Sequence, residues 1–313
     1  MPETANDLPL SQRVALVTGG ARGIGLAISR QLHALGASVV VADSGVSISG
    51  QVETPGLAAS VATELGERAV PFADSLDTPD AAAAAVAFAI RCFGALDLVV
   101  NNAAILRDGF VFKLGAADWD AVIRNNLSAA FYVLSAATPS LREQVKAGRA
   151  PGRLVNITSS AGVYGNFGQV AYASAKAGLF GLTRVVAMDM ARSGVTCNAV
   201  APFAATRVTD AIRPANPAQA AYKERALRVP ARAVAELVAA LCCDEAAGIT
   251  GQLLGVRGRE VFLFSQPRPT TRLETPAGGW RAPVYAMSLA SHFASGFTDL
   301  GTDLEAFNTE PVL

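Results

Sequence analysis

Arg13-Val-Ala-Leu-Val-Thr-Gly-Gly-Ala-Arg-Gly-Ile-Gly25 is the stretch that decides the fold. A short apolar run reads as a strand. Glycines at 19, 20, 23 and 25 then break the chain into a tight turn, and Gly23 to Leu35 carries a helical pattern closed by Gly36. Strand, glycine loop and helix in this order let backbone approach a pyrophosphate. The free N–H groups and dipole of the helix start favour its negative charge. Gly19, Arg22, Gly23, Ile24 and Gly25 are therefore candidate contacts to a dinucleotide.

The rhythm continues outward from that unit. Strands are expected over 38–43, 69–73, 96–101, 152–158, 195–201 and near 252–257. Helices are expected over 56–66, 79–93, within 117–147, over 170–193 and near 231–243. Ser38-Val-Val-Val-Ala-Asp43 is apolar on both faces, as a strand covered on both sides must be. The alternation predicts an α/β fold, a Rossmann-type doubly wound parallel sheet of about seven strands with helices on both faces. Residues 1–257 would form the dinucleotide-binding catalytic domain. Within it, 202–229 is a long connection with prolines at 202, 214 and 217, expected to be a substrate lid. Residues 258–313 read as a C-terminal extension. Its Val261-Phe-Leu-Phe264 should pair within the fold or across a subunit interface, since a bare apolar strand invites aggregation. Trp280, Phe293 and Phe297 suggest further docking.

Bulk properties exclude several classes. Lysine plus arginine (26) equals aspartate plus glutamate (26), so no basic surplus exists to neutralise nucleic acid. No apolar run reaches membrane-spanning length. The start, Met1-Pro-Glu-Thr-Ala-Asn-Asp7, is unlike a secretory signal, and a cytoplasmic protein is expected. Cys92, Cys197, Cys242 and Cys243 contain no Cys-x-x-Cys pair and lie far from His33 and His292. Buried free thiols and no metal are expected.

The chemistry enters with Tyr172, followed four residues later by Lys176 and preceded thirteen residues earlier by Ser159. Tyr172 and Lys176 share a helix face. Together with the glycine loop, Asn101-Asn-Ala-Ala104 and Asn126, they resemble the short-chain dehydrogenase/reductase superfamily over roughly residues 10–257. That resemblance implies hydride transfer between a nicotinamide and a secondary alcohol or ketone. Tyr172 would give or take the proton on the substrate oxygen. Lys176 would favour phenolate and hold the nicotinamide ribose, Ser159 would bind the substrate oxygen, and Asn126 would support a water linking Lys176 to solvent. Thr158 and Ser160 flank Ser159, but the thirteen-residue spacing selects Ser159.

Asp43 ends the second strand, where a carboxylate accepts from ribose hydroxyls and repels a 2′-phosphate. NAD is therefore expected over NADP, although Arg22 could pair with the extra phosphate. Asp74 is a candidate for the adenine edge. Asn102, Ala103 and Pro202 are further candidate cofactor contacts.

The 44–56 insertion and the stretch 197–209 resemble the (3R)-hydroxyacyl-CoA dehydrogenase unit of peroxisomal multifunctional enzymes and its bacterial relatives. A β-hydroxyacyl thioester is the substrate that resemblance implies, and the usual assembly is a homodimer or homotetramer. Arg207, Arg213, Lys223, Arg225 and Arg228 either meet CoA phosphates or are solvated loop charges. Phe203, Val208 and Ile212 either line a pocket for a free cyclic, aromatic or steroid alcohol or pack the lid. A non-catalytic dinucleotide sensor would be expected to lack Tyr172 or Lys176. Three positions depart from the family pattern: Ala104 and Phe203, each where glycine is commoner, and Arg257-Gly-Arg259.

Overall fold

The computed structural model describes residues 8–210, 214, 217–279 and 281–313. Eight strands form one sheet: β1 (Val14–Thr18), β2 (Ser38–Ala42), β3 (Ala69–Phe72), β4 (Leu98–Asn101), β5 (Arg153–Ile157), β6 (Thr196–Phe203), β7 (Leu253–Arg257) and β8 (Glu260–Phe264). Their order is β3-β2-β1-β4-β5-β6-β7-β8. The first seven run parallel, and β8 returns antiparallel on β7, with Val256 opposite Val261. Val261-Phe-Leu-Phe264 thus pairs within the fold, as one of the sheet's two outer strands.

The helices are α1 (Gly23–Ala34), α2 (Leu57–Leu65), α3 (Pro79–Phe93), α4 (Ala116–Ile123), α5 (Ala129–Lys146), α6 (Ala161–Tyr164), α7 (Val170–Met190), α8 (Arg207–Asp210), α9 (Pro217–Leu227), α10 (Arg232–Cys242), α11 (Ala282–Phe293) and α12 (Asp303–Ala306). Local chemistry sets their ends. Thr78 caps α3 by accepting from Ala81 N–H, Pro79 opens it, and Gly94 at φ 80° closes it.

Strand periodicity sorts the core into two layers. Ala15 and Val17 pack with α1, α2 and α10 on one face, and Val14 and Leu16 pack with α3, α5 and α7 on the other. β4 and β5 are buried throughout, as central strands covered on both faces must be. The expected lid is partly helical, carrying α8 and α9. Trp280, Ile212 and Arg213 lie outside the described residues, as does the side chain of Val208. Phe297 is exposed rather than docked. The four cysteines are free: Cys197 and Cys242 are buried and Cys243 is half-buried, while Cys92 is exposed, contrary to expectation, on the outward side of α3. No described helix is long and apolar enough to cross a membrane.

The strand order reverses at β1, between β2 and β4, so the carboxyl ends of β1 and β4 part to leave a crevice. That crevice is where the candidate residues gather.

Candidate active site

A cleft of about 320 Å³ runs along the carboxyl ends of β2, β1, β4, β5 and β6. Its floor is the glycine loop. A Cβ on Gly25 would stand 1.9 Å from the Gly19 carbonyl oxygen, so only glycine permits the turn. Gly23 adopts φ 51° with open space around it. α1 begins without a side-chain cap, leaving its first N–H groups available to an anion. Uncapped N–H groups under a cradle only glycine can form fit a pyrophosphate.

The loop is braced from β4. Thr18 Oγ1 accepts from Asn102 N–H and Ala103 N–H at 2.9 and 3.0 Å, and Asn102 Nδ2 donates to the carbonyls of Thr18 and Gly19. Asn102 and Ala103 line the cleft, with Gly19, Arg22, Gly23, Ile24, Asp74 and Pro202. Asp43 sits at its far end, where its carboxylate accepts from Ala21 N–H at 3.1 Å and Gly45 N–H at 2.9 Å.

Arg22 donates to Glu53 Oε2 at 2.6 Å, and Arg207 reaches the same oxygen at 3.3 Å. Glu53 had no local sequence signal. It lies in the 44–56 insertion, which turns back on itself through a Val46–Val52 bridge and contributes Val46 to Ile48 to the cleft wall. The insertion is also tied down beside β4: Leu106 N–H donates to the Ile48 carbonyl at 2.7 Å.

At the other end the structure brings Ser159, Tyr172 and Lys176 together. Ser159 follows β5 and is half-buried, whereas Tyr172 and Lys176 on α7 are 8% and 2% exposed. The three hydroxyls at 158–160 have different partners. Thr158 Oγ1 donates to the Lys176 carbonyl, Ser160 Oγ donates to Asp303, and Ser159 is the one hydrogen-bonded to Tyr172. Burial pushes the Tyr172 phenol up to about 12, against the hydrogen bond from Ser159 that lowers it. Burial also pushes the Lys176 ammonium down to about 8. Lys176 Nζ donates to the Ile157 carbonyl at 2.8 Å and stands 5.7 Å from the Tyr172 ring centre.

Asn126 lines the same cleft and braces its wall. Its amide donates to the Ile105 carbonyl and accepts from Ile105 N–H, both at 2.8 Å. Both ends of the side-chain amide therefore brace the chain after β4. Asn126 sits in a π-helical turn, Arg124–Ser128, between α4 and α5, an irregularity frequent at functional sites.

The structure also places the candidates that had two readings. Phe203 does not line the cleft. It is 6% exposed and packs on Phe307 with ring centres 4.4 Å apart. Arg207, Lys223, Arg225 and Arg228 are held by Glu53, Asp210, Asn308 and Glu310 respectively, so each cation already has a protein partner. Asp108 was missed by sequence reasoning. Its carboxyl accepts from Gln169 Nε2 at 3.0 Å, burial raises its pKa, and its charge is felt at Tyr172.

Comparisons with known proteins give the chain its family. The short chain dehydrogenase family matches residues 13–219. The hydroxyacyl-CoA dehydrogenase ChsB1 of Mycobacterium tuberculosis is 37% identical over 94% of this chain and 92% of its own length. The peroxisomal multifunctional enzyme type 2 of Drosophila melanogaster is 34% identical over 97% of this chain and 50% of its own length. A short chain dehydrogenase from Mycobacterium avium superposes with a TM-score of 0.77 at 33% identity, over 91% of this chain and 96% of that one. The chain belongs to the short-chain dehydrogenase/reductase family, oxidoreductases that act on CH–OH groups with a nicotinamide dinucleotide.

Proposed function

We propose that the protein is an NAD-dependent dehydrogenase of 3-hydroxyacyl thioesters, with Ser159, Tyr172 and Lys176 as its catalytic set. The observation that carries this reading is the cleft itself: a half-buried serine hydrogen-bonded to a buried tyrosine at one end and Asp43 at the other. The names of ChsB1 and the multifunctional enzyme support the acyl thioester.

A bound oxidised nicotinamide supplies the acceptor for the hydride leaving the alcohol carbon. Tyr172 takes the hydroxyl proton as that carbon is oxidised, which makes it the general base. Ser159 holds the substrate oxygen as its charge changes. Lys176, one helical turn from Tyr172, favours the phenolate when charged and reaches toward the ribose. Asn126 contributes by fixing the Ile105 backbone at the cleft wall. The loop from Gly19 to Gly25 binds pyrophosphate. Asp43 accepts from the adenosine ribose hydroxyls and Asp74 borders the adenine, while Asn102, Ala103 and Pro202 line the remaining path. Arg22 would be the residue to attract a 2′-phosphate, but Glu53 holds it. A phosphate there would meet Asp43 as well, so NAD is preferred. The unit through residue 257 is catalytic on this reading, and residues 258–313 complete it.

A second reading, a free cyclic, aromatic or steroid alcohol, is favoured by exposed aromatic residues on the chain between β4 and α4 and just ahead of α7. Phe110, Phe112 and Phe167 are 49%, 75% and 78% exposed there, and Gly109 bridges to Gln169. One experiment separates the two. NADH formation is followed with 3-hydroxyacyl-CoA and with a panel of free secondary alcohols, with NAD and NADP in parallel. NAD-dependent turnover of the thioester is expected. Turnover of free alcohols alone would move the protein to the second reading. Tyr172→Phe should lose turnover by at least about a hundredfold with NADH binding unchanged; undiminished turnover would remove Tyr172 from its role.

A further inference from the structure

The last residues of the chain reach the loop that carries Ser159. α12 opens with a capping box, in which Thr302 Oγ1 accepts from Leu304 N–H and the Glu305 carboxylate accepts from Thr302 N–H. That turn presents Asp303, 8% exposed, to Ser160, whose hydroxyl donates to the Asp303 carboxylate. Ser160 follows Ser159 directly. Its carbonyl also accepts the N–H groups of Val163 and Tyr164, so it anchors α6 as well.

Four residues on, Phe307 enters an aromatic box. Its ring centre lies 4.4 Å from Phe203, 5.2 Å from Phe262 and 6.1 Å from Tyr164. Arg257 donates to the carbonyls of Phe307 and Thr309 and to Thr309 Oγ1, and Arg259 N–H donates to the Val312 carbonyl. From the lid, Arg225 and Arg228 hold Asn308 and Glu310. The segment 302–312 thus joins the serine loop, the lid and the last parallel strand. The departures at Phe203 and Arg257-Gly258-Arg259 are its docking site.

We propose that this segment acts on the active site of its own subunit: Asp303 is a positioning residue that fixes the Ser159 loop through Ser160. The proposal rests on the catalytic reading of Ser159 and Tyr172 given above.

A carboxylate is a costly choice for a packing role. Burial penalises its charge, and an apolar side chain would fill the space more cheaply. Asp303 is stabilised there by Ser160 and by backbone N–H groups. It also adds a field. The groups that face Tyr172 are Lys176 and Ser159, Asp108 from the chain after β4, and Asp303 from the tail; both carboxylates disfavour the phenolate. Asp303 itself faces Glu305 on its own turn and Tyr222 on α9.

Full-length Asp303→Ala, Asp303→Asn, Ser160→Ala and the Asp303→Ala/Ser160→Ala double variant are compared with wild type and Tyr172→Phe. Each is assayed on the best alcohol from the panel, with NADH affinity by fluorescence and the unfolding midpoint recorded. Asp303→Ala and Ser160→Ala should each lower kcat/KM by about tenfold or more. The double variant should fall no further, because the two residues act as one unit. NADH affinity should hold. Asp303→Asn keeps an acceptor for Ser160 and should recover most of the activity, while its kcat/KM profile for oxidation moves to lower pH because a charge opposing phenolate is gone. Loss of packing alone would not move that profile. Additive losses in the double variant, or an unmoved profile in Asp303→Asn, overturn the proposal. If Asp303→Ala unfolds, Asp303→Asn and Ser160→Ala decide it by the pH profile and by kcat/KM. An active Tyr172→Phe would instead overturn the catalytic reading. An inactive Tyr172→Phe beside wild-type-like Asp303 variants overturns only the role of the tail.

Discussion

Single residues in the glycine loop do unequal work, and geometry ranks them. At Gly25 a Cβ would lie 1.9 Å from the Gly19 oxygen and 2.6 Å from Asn102 Nδ2. At Gly23 nothing stands within 4 Å, and only the positive φ resists a side chain. Gly25→Ala must therefore push the loop off its brace, at about 1–3 kcal/mol, and move the pyrophosphate N–H groups with it. Gly23→Ala meets only the left-handed penalty of about 1–2 kcal/mol. NADH titration should show at least a tenfold affinity loss for Gly25→Ala and a smaller one for Gly23→Ala; the reverse order would refute the assigned cradle. The loop was legible because a glycine pattern between strand and helix has few other uses. Ser159 was legible by its spacing to Tyr172, and its bond to Tyr172 sets it apart from Thr158 and Ser160. Glu53, Asp108 and Asp303 were not legible. Each acts through a partner distant in sequence, and no local pattern marks an acid that meets Arg22, Gln169 or Ser160.

Among the elements, the seven parallel strands and their crossover helices could be read from periodicity. The antiparallel β8 and the docking of the tail could only be anticipated as apolar runs in search of a partner. Arg257 shows why. In sequence it is a basic residue after the last parallel strand, but in the fold it is 6% exposed and its fork spans Glu260, Phe307 and Thr309. Gly258 has φ 57°, and a Cβ there would stand 2.2 Å from the Val312 oxygen, so the tail lies directly on the β7–β8 turn. Arg257→Met strips Glu260 and two carbonyls of donors. Glu260 keeps some solvent, so the loss should be about 2–3 kcal/mol rather than the larger cost of a fully buried pair. Urea denaturation measures it, and trypsin should then cut the released tail faster. Arg257→Lys should recover little, since an ammonium cannot form the planar fork. Full recovery by lysine would mean that charge alone holds the tail.

Across the whole molecule the sheet is polarised. The carboxyl ends of its strands hold the cleft, and the amino ends are locked by charge. Asp97, fully buried, accepts from Val14 N–H and pairs with Arg149, tying β1 and β4 to the end of α5. Arg153 at the start of β5 lies 3.7 Å from Asp244 beyond α10. At one edge of the sheet, β8 turns apolar side chains outward. Phe262 and Phe264 turn inward over Gly255, whereas Val261 and Leu263 are 56% and 68% exposed. An apolar outer strand in a stable protein needs a cover. The homodimer or homotetramer that the resemblance implies would supply it with a second copy of the chain. Light scattering of the wild type should give two or four chains. Leu263→Lys puts a charge on that strand without touching the cleft, so it should shift the mass toward fewer chains and leave NADH affinity unchanged. A wild-type monomer, or an assembly indifferent to the lysine, would show that β8 is not the contact.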